Sequence, residues 1–155
     1  MGSYGSCNFD GLKNLKKKIS NLEQKQVDEF MEICAKELAA RLLAKIIKRT
    51  PVGVYPSGSG KVGGTLRRGW TAGKNQNATN YAQSLKIDHI GDVYKIEITN
   101  PIDYASYVEF GHRTRNHKGW VEGKFMMTIS EQEIQTIAPK VLENKLKKLL
   151  EECFT

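Results

Sequence analysis

Between Phe9 and Arg49 the apolar residues recur every three or four positions: Leu12, Leu15, Ile19, Leu22, Val27, Phe30 with Met31, Cys34, Leu38, Leu42 and Ile46. That period lines one face of a helix; lysines and glutamates fill the other. Ser20 followed by Glu23 reads as a capping box. It divides the stretch into a short helix near residues 10–19 and a longer one, the latter about 40 Å long at roughly 1.5 Å per residue. Thr50-Pro51 stops the long helix, because a residue before proline avoids the helical region. Ala35, Ala39, Ala40 and Ala44 are small enough to let another element approach closely.

Residues 51–65, PVGVYPSGSGKVGGT, hold five glycines and two prolines. Such a segment has little apolar surface with which to order itself. It predicts a mobile loop over 53–64, of the length that in compact domains usually serves a function. Sheet signals follow. Leu66 to Ala72, containing Trp70, reads as a strand; so does the run in which Tyr81, Gln83, Leu85 and Ile87 alternate with Ala82, Ser84 and Lys86. Tyr94, Ile96 and Ile98 alternate with Lys95, Glu97 and Thr99, the period of a half-buried strand. Gly91-Asp92 suits a two-residue hairpin turn.

Asn100-Pro101 ends the last of these runs. Tyr104, Tyr107, Val108 and Phe110 then fall at helical spacing, with Gly111 available as a left-handed stop. His112 to Gly119 is polar and basic and predicts a second loop. Ser130 with Glu133 reads as another capping box, opening a helix marked by Ile134, Ile137, Ala138, Val141, Leu142, Leu146, Leu149, Leu150 and Cys153. Pro139 within it predicts a kink or restart. The expected fold class is therefore α+β: a long N-terminal and a C-terminal helix packed on an antiparallel sheet of at least three strands. Trp70, Tyr104, Tyr107, Val108, Phe110 and Phe125 are expected in the core.

Length adds that residues 1–155 form one domain, with 1–8 expected to be flexible. With 39% hydrophobic and 26% charged residues, the composition is that of a globular chain. No run approaches the ~18–20 apolar residues of a membrane span, and no secretory signal is evident in Met1 to Asn14. Cys7, Cys34 and Cys153 are odd in number and lack metal-ligand spacing, which points to a reducing compartment.

Charge changes the picture modestly. Lys and Arg number 24 against 17 Asp and Glu, a net charge of +7, which suits an anionic partner without naming one. Lys13, Lys16, Lys17, Lys18, Lys45, Lys48, Arg49 and the pair Arg67-Arg68 are candidates for a phosphate-rich surface. Lys140, Lys145, Lys147 and Lys148 read as a solvated helix face.

Catalytic chemistry finds little support. Gly58, Gly60 and Gly63 spell G-x-G-x-x-G, but a helix precedes them and strand-like sequence follows, the reverse of a dinucleotide site. His112 and His117 are five apart, not at the i,i+4 spacing of one helix face, and with Glu109 they would make a poor metal set. Asp88, Asp92, Glu97 and Asp103 are scattered. No catalytic residue, cofactor or metal ligand is assigned. The aromatic residues Tyr104, Tyr107, Phe110 and Trp120 serve either as core or as interface anchors, with Trp120 the best candidate for the interface.

Several blocks carry a resemblance. They are Arg49-Thr50-Pro51-Val52, Gly64-Thr65-Leu66-Arg67-Arg68-Gly69-Trp70, Tyr104-Ala105-Ser106-Tyr107-Val108-Glu109-Phe110-Gly111-His112, and Lys118-Gly119-Trp120-Val121-Glu122-Gly123-Lys124-Phe125-Met126-Met127. Together they resemble the tail-completion, or neck, proteins of tailed bacteriophages, closest to the branch in contractile-tailed phages and defective prophages of Gram-positive bacteria. The resemblance implies a non-enzymatic virion protein, assembled in the host cytoplasm. It implies a homo-oligomeric, hexameric ring between the head-closure or connector protein and the tail terminator, with DNA passing through its channel. Relative to the family's Thr-Pro-Val-Asp-Thr-Gly-x-Leu-Arg, this chain has a longer loop between Val52 and Leu66. Val54, Tyr55, Lys61, Arg67, Arg68, His112, Arg113, Arg115 and Trp120 are the expected subunit or neighbour contacts. The charge also suits a small basic DNA-binding protein, and His112, His117 and Glu109 would be the site of a metal-dependent nuclease.

Overall fold

The long helix forms where the apolar stripe predicts it. In a computed structural model, which describes residues 24–154, α1 spans Gln24–Arg49. The helix expected at 10–19, the Ser20–Glu23 box, residues 1–8 and Lys13 to Lys18 lie outside the described residues. At its end the Thr50 hydroxyl donates to the Ile46 carbonyl at 2.7 Å, closing the last turn before Pro51. The buried positions are Cys34, Ala39, Leu43, Ile46 and Thr50, so the stripe facing the core includes the small Ala39.

Leu66 to Ala72 is not a strand. Thr65–Gly69 is a one-turn helix, α2, because its buried residues Leu66, Gly69 and Trp70 recur at three and four, not at two. Nor is Tyr81 to Ile87 one strand. Ala78–Ser84 forms helix α3, and the Asn77 side chain caps it by accepting from the Asn80 N–H at 2.8 Å. Lys36 of α1 donates to the Gln83 and Leu85 carbonyls, placing a cation at the negative end of α3.

The sheet is smaller than expected. Strands β1 (Ile87–Ile90) and β2 (Val93–Ile96) pair antiparallel about the Gly91-Asp92 turn. After helix α4 (Ala105–Phe110), β3 (Gly111–Arg113) pairs with β4 (Trp120–Glu122). Among the described residues these are two separate two-stranded ladders, not one sheet of three or more. The alternating exposure of β2 continues through Asn100 but finds no ladder partner there, since the runs expected to supply one are helical. Of residues 112–119, expected as a loop, 114–119 are the loop that joins the two strands of this second hairpin, and only His112 and Arg113 are strand. Thr114 N–H donates to the Gly119 carbonyl at 3.0 Å, and His117, at φ 55°, turns the chain.

Helix α5 spans Met126–Phe154 and lies antiparallel to α1. Lys45 and Arg49 both reach Glu133 at 2.7 Å, Arg49 also donates to Ser130 at 2.8 Å, and Lys145 reaches Glu37 at 3.0 Å. Ser130 and Glu133 therefore do not open this helix. They share a face three residues apart, as a capping box would, but receive cations from α1. Pro139 sits within an unbroken helix. It and Gln135, whose carbonyl it leaves unpartnered, are both on the exposed side.

Ala39, Leu43 and Ile46 of α1 meet Leu66, Trp70, Ala82 and Met126 in the core. Val108 packs against that cluster from α4. Tyr104, Tyr107 and Phe110 are exposed instead of buried, because a six-residue helix buries one side only, and here that side is Ala105, Val108 and Glu109; Phe125, just before α5, is also exposed.

The ionic ties set a pH profile. Lys145 first, then Arg41, holds the Glu37 carboxyl below its ordinary 4.5, and Lys45 and Arg49 do the same to Glu133. Their stabilisation is present above pH 4.5 and is lost as the pH falls through the depressed values. At the other extreme, the Tyr94 hydroxyl donates to Asp28 at 2.7 Å, and this bond pushes its pKa up to about 12. That stabilisation is full below pH 10 and fades between about 10 and 12. Melting temperature against pH is expected to fall at both ends; Tyr94→Phe removes the alkaline step, and a variant keeping that step contradicts the assignment.

Candidate interaction surface

One buried hydroxyl organises the region beyond α1. Thr50 Oγ1 accepts from Trp70 Nε1 at 2.8 Å, while the Thr50 carbonyl accepts from Arg67 Nε at 3.1 Å and Nη2 at 2.7 Å. Arg67 thus caps the C-terminal end of α1, where cations are favoured. Asn100 joins from the other side, donating to the Leu66 carbonyl at 2.8 Å. The Thr-Pro and Leu-Arg-x-x-Trp blocks are a folding lock.

This lock pins both ends of the 51–64 loop. At its neck the chain comes so close that a Cβ on Gly63 would lie 2.0 Å from the Gly53 carbonyl oxygen. Arg68 fastens the same neck through the Gly63 carbonyl at 3.1 Å. Beyond the neck Val54 and Val62 stand out in solvent, and the Lys61 ammonium sits 5.8 Å from the centre of the Tyr55 ring. Loop and α4 together enclose a groove of about 260 Å³ that includes Val52, Tyr55, Val62, Tyr104 and Val108 in its walls.

Helix α4 is held by its acid. Glu109 is 7% exposed and accepts from the Met127 N–H, the Thr128 N–H and the Thr128 hydroxyl at 2.9, 2.9 and 2.7 Å. A carboxylate there meets the unpaired donors and the positive end of α5. With Glu109 turned inward, Tyr107 and Phe110 face out, Phe110 at 61% exposure. The second hairpin continues this surface: His112 meets Tyr107 edge-on at 5.8 Å. Gly111, at φ 86°, lets Trp120 and Val121 pass where any side chain would collide.

The family whose sequence model matches residues 13–111 is described as "Bacteriophage HK97-gp10, putative tail-component". The chain belongs to this HK97-gp10-like family. It is accordingly a phage structural protein of the tail-component class, and among the described residues no helix is long and apolar enough to cross a membrane. No curated protein and no solved structure is significantly similar to it.

Within this tail component the expected contact residues fall into two groups. Val54, Tyr55, Lys61, His112, Arg113, Arg115 and Trp120 are exposed, with Tyr55 beside Lys61 and lining the same groove as Tyr104. Arg67 is directed inward onto Thr50, and Arg68, although exposed, is engaged with the loop neck. His112, His117 and Glu109 are not assembled as a metal site; no group of three such ligands occurs among the described residues. Burial pushes the Cys34 thiol up, which makes it a poor nucleophile. The sequence reading missed Glu109 as a helix cap, although its place in the Tyr-Ala-x-x-Val-Glu-Phe-Gly block was visible.

Proposed function

We propose that this tail component is a neck protein that joins the head connector to the tail, as a closed ring of about six copies through which DNA passes. Its neighbours on this reading are the head-closure or connector protein and the tail terminator. The observation that carries the proposal is the run of large apolar side chains left in solvent at one end of the fold: Val54, Tyr55, Tyr104, Tyr107, Phe110 and Trp120. Large apolar side chains left exposed in this number mark an interaction site. Heterologous contacts close such subunits into rings.

A second reading, a small basic DNA-binding protein, is favoured by Arg113, Arg115 and Lys118, all exposed on the second hairpin. In a ring these cations would meet passing DNA through its phosphates, without reading sequence. Genetic deletion in the source phage or prophage separates the readings. Loss of the neck protein is expected to leave filled heads and finished tails unjoined by electron microscopy, and the intact chain restores joining. A chain with residues 53–64 replaced by a short Gly-Ser link is expected not to restore it. Joined particles without the gene would end the neck reading.

A further inference from the structure

The first hairpin ends in two largely exposed apolar side chains: Ile90 and Val93, 73% and 63% exposed, flank the Gly91-Asp92 turn. We infer that this tip inserts into the groove between the 51–64 loop and α4 of a second copy of this chain, head to tail. The inference rests on the ring-forming reading above and specifies its subunit contact.

Size and chemistry match. The groove's 260 Å³ equals about nine waters at roughly 30 Å³ each, room for two aliphatic side chains but not for a folded element. Its walls include Val52, Val62, Tyr104 and Val108. Asp92, carried between the two apolar residues, would face Lys61, the cation of the loop, which sits beside Tyr55 of the groove wall. Apolar insertion with a charge pair at the rim gives both affinity and orientation.

Position supplies the second argument. Tyr94 ties the hairpin to Asp28 near the start of α1, while Lys36 holds the chain just before β1. The tip therefore points past the N-terminal end of α1. The groove opens beyond Pro51, past the other end. The 23 positions from Asp28 to Pro51 rise about 35 Å at roughly 1.5 Å each, so a chain cannot fill its own groove. Two copies joined this way still expose one tip and one groove. Such a contact propagates until the ring closes.

The test uses the full chain, with mass measured by light scattering over a concentration series. Wild type is expected to form a discrete oligomer. Ile90→Asp with Val93→Asp spoils the tip, and Val62→Asp, at a position 76% exposed, spoils the groove. Each variant is expected to stay monomeric, with association weakened at least about 100-fold, and to melt within a few degrees of wild type. Mixed in equal amounts, the two variants retain one good tip and one good groove. They are expected to form a species of two chains and nothing larger. Variants that assemble like wild type, a mixture that stays monomeric, or a mixture that grows beyond two chains each overturn the contact. Wild type that remains a monomer up to about 1 mM overturns it as well. The neck reading is decided separately, by whether particles join without the gene.

Discussion

Trp70→Ala is expected to lower the stability of this protein by about 3–5 kcal/mol, the usual cost of emptying a buried aromatic site. Trp70 is 5% exposed and belongs to the cluster formed by Leu43, Ile46, Leu66 and Met126. The change also removes the indole donor from Thr50. Total stabilities are only about 5–15 kcal/mol, and at roughly 2–4 °C per kcal/mol the melting temperature should drop by about 6–20 °C. Trp70→Phe separates the two contributions: it keeps most of the packing and loses the hydrogen bond, a cost of about 1 kcal/mol. The chain has two tryptophans, and Trp120, 55% exposed, is the internal control. Trp120→Ala should melt like wild type, and its remaining emission, from Trp70 alone, should be blue-shifted. A drop below about 3 °C for Trp70→Ala would contradict the lock.

What the sequence could disclose depended on element length. Helices α1 and α5 repeat their apolar period over 26 and 29 residues, and the β1–β2 turn carries the Gly-Asp signature. Helices α2 and α3 have five and seven residues. Over so few positions a period of three or four cannot be separated from one of two by apolar content, so both runs read as strands and the expected sheet became too large. Asn77 before Ala78 was the one local sign of α3. Ser130 and Glu133 misled for a related reason, because a capping pair and a pair of ion-pair acceptors on one helix face share the same spacing. Composition disclosed the 51–64 loop. It did not disclose that Tyr104, Tyr107 and Phe110 stay outside, which follows from Glu109 claiming the inward side of α4, a long-range contact with α5. Tertiary pairings of that kind leave no periodic trace.

Glu109→Ala should be the most damaging change on the candidate surface. It strips the acceptor from two backbone N–H groups and one hydroxyl at the start of α5. Loss of a cap costs about 0.5–2 kcal/mol, and leaving buried donors unpaired adds roughly 1–3 kcal/mol, so a total near 2–4 kcal/mol is expected by thermal or urea unfolding. Glu109→Gln keeps the shape and one acceptor oxygen but loses the charge that suits a helix N-terminus; about half the cost is expected. The two variants should also differ from Trp70→Ala in kind. Glu109 joins α4 to α5; α4 and Tyr104 just before it place Tyr104 and Val108 in the groove wall and Tyr107 and Phe110 outside it. Releasing that tie lets the groove deform while the α1 core remains packed, so self-association should fail at temperatures where the chain is still folded. Light scattering and circular dichroism on the same Glu109→Gln sample measure this directly. If assembly and melting are lost together, Glu109 stabilises the whole fold and does not specifically hold the interaction surface.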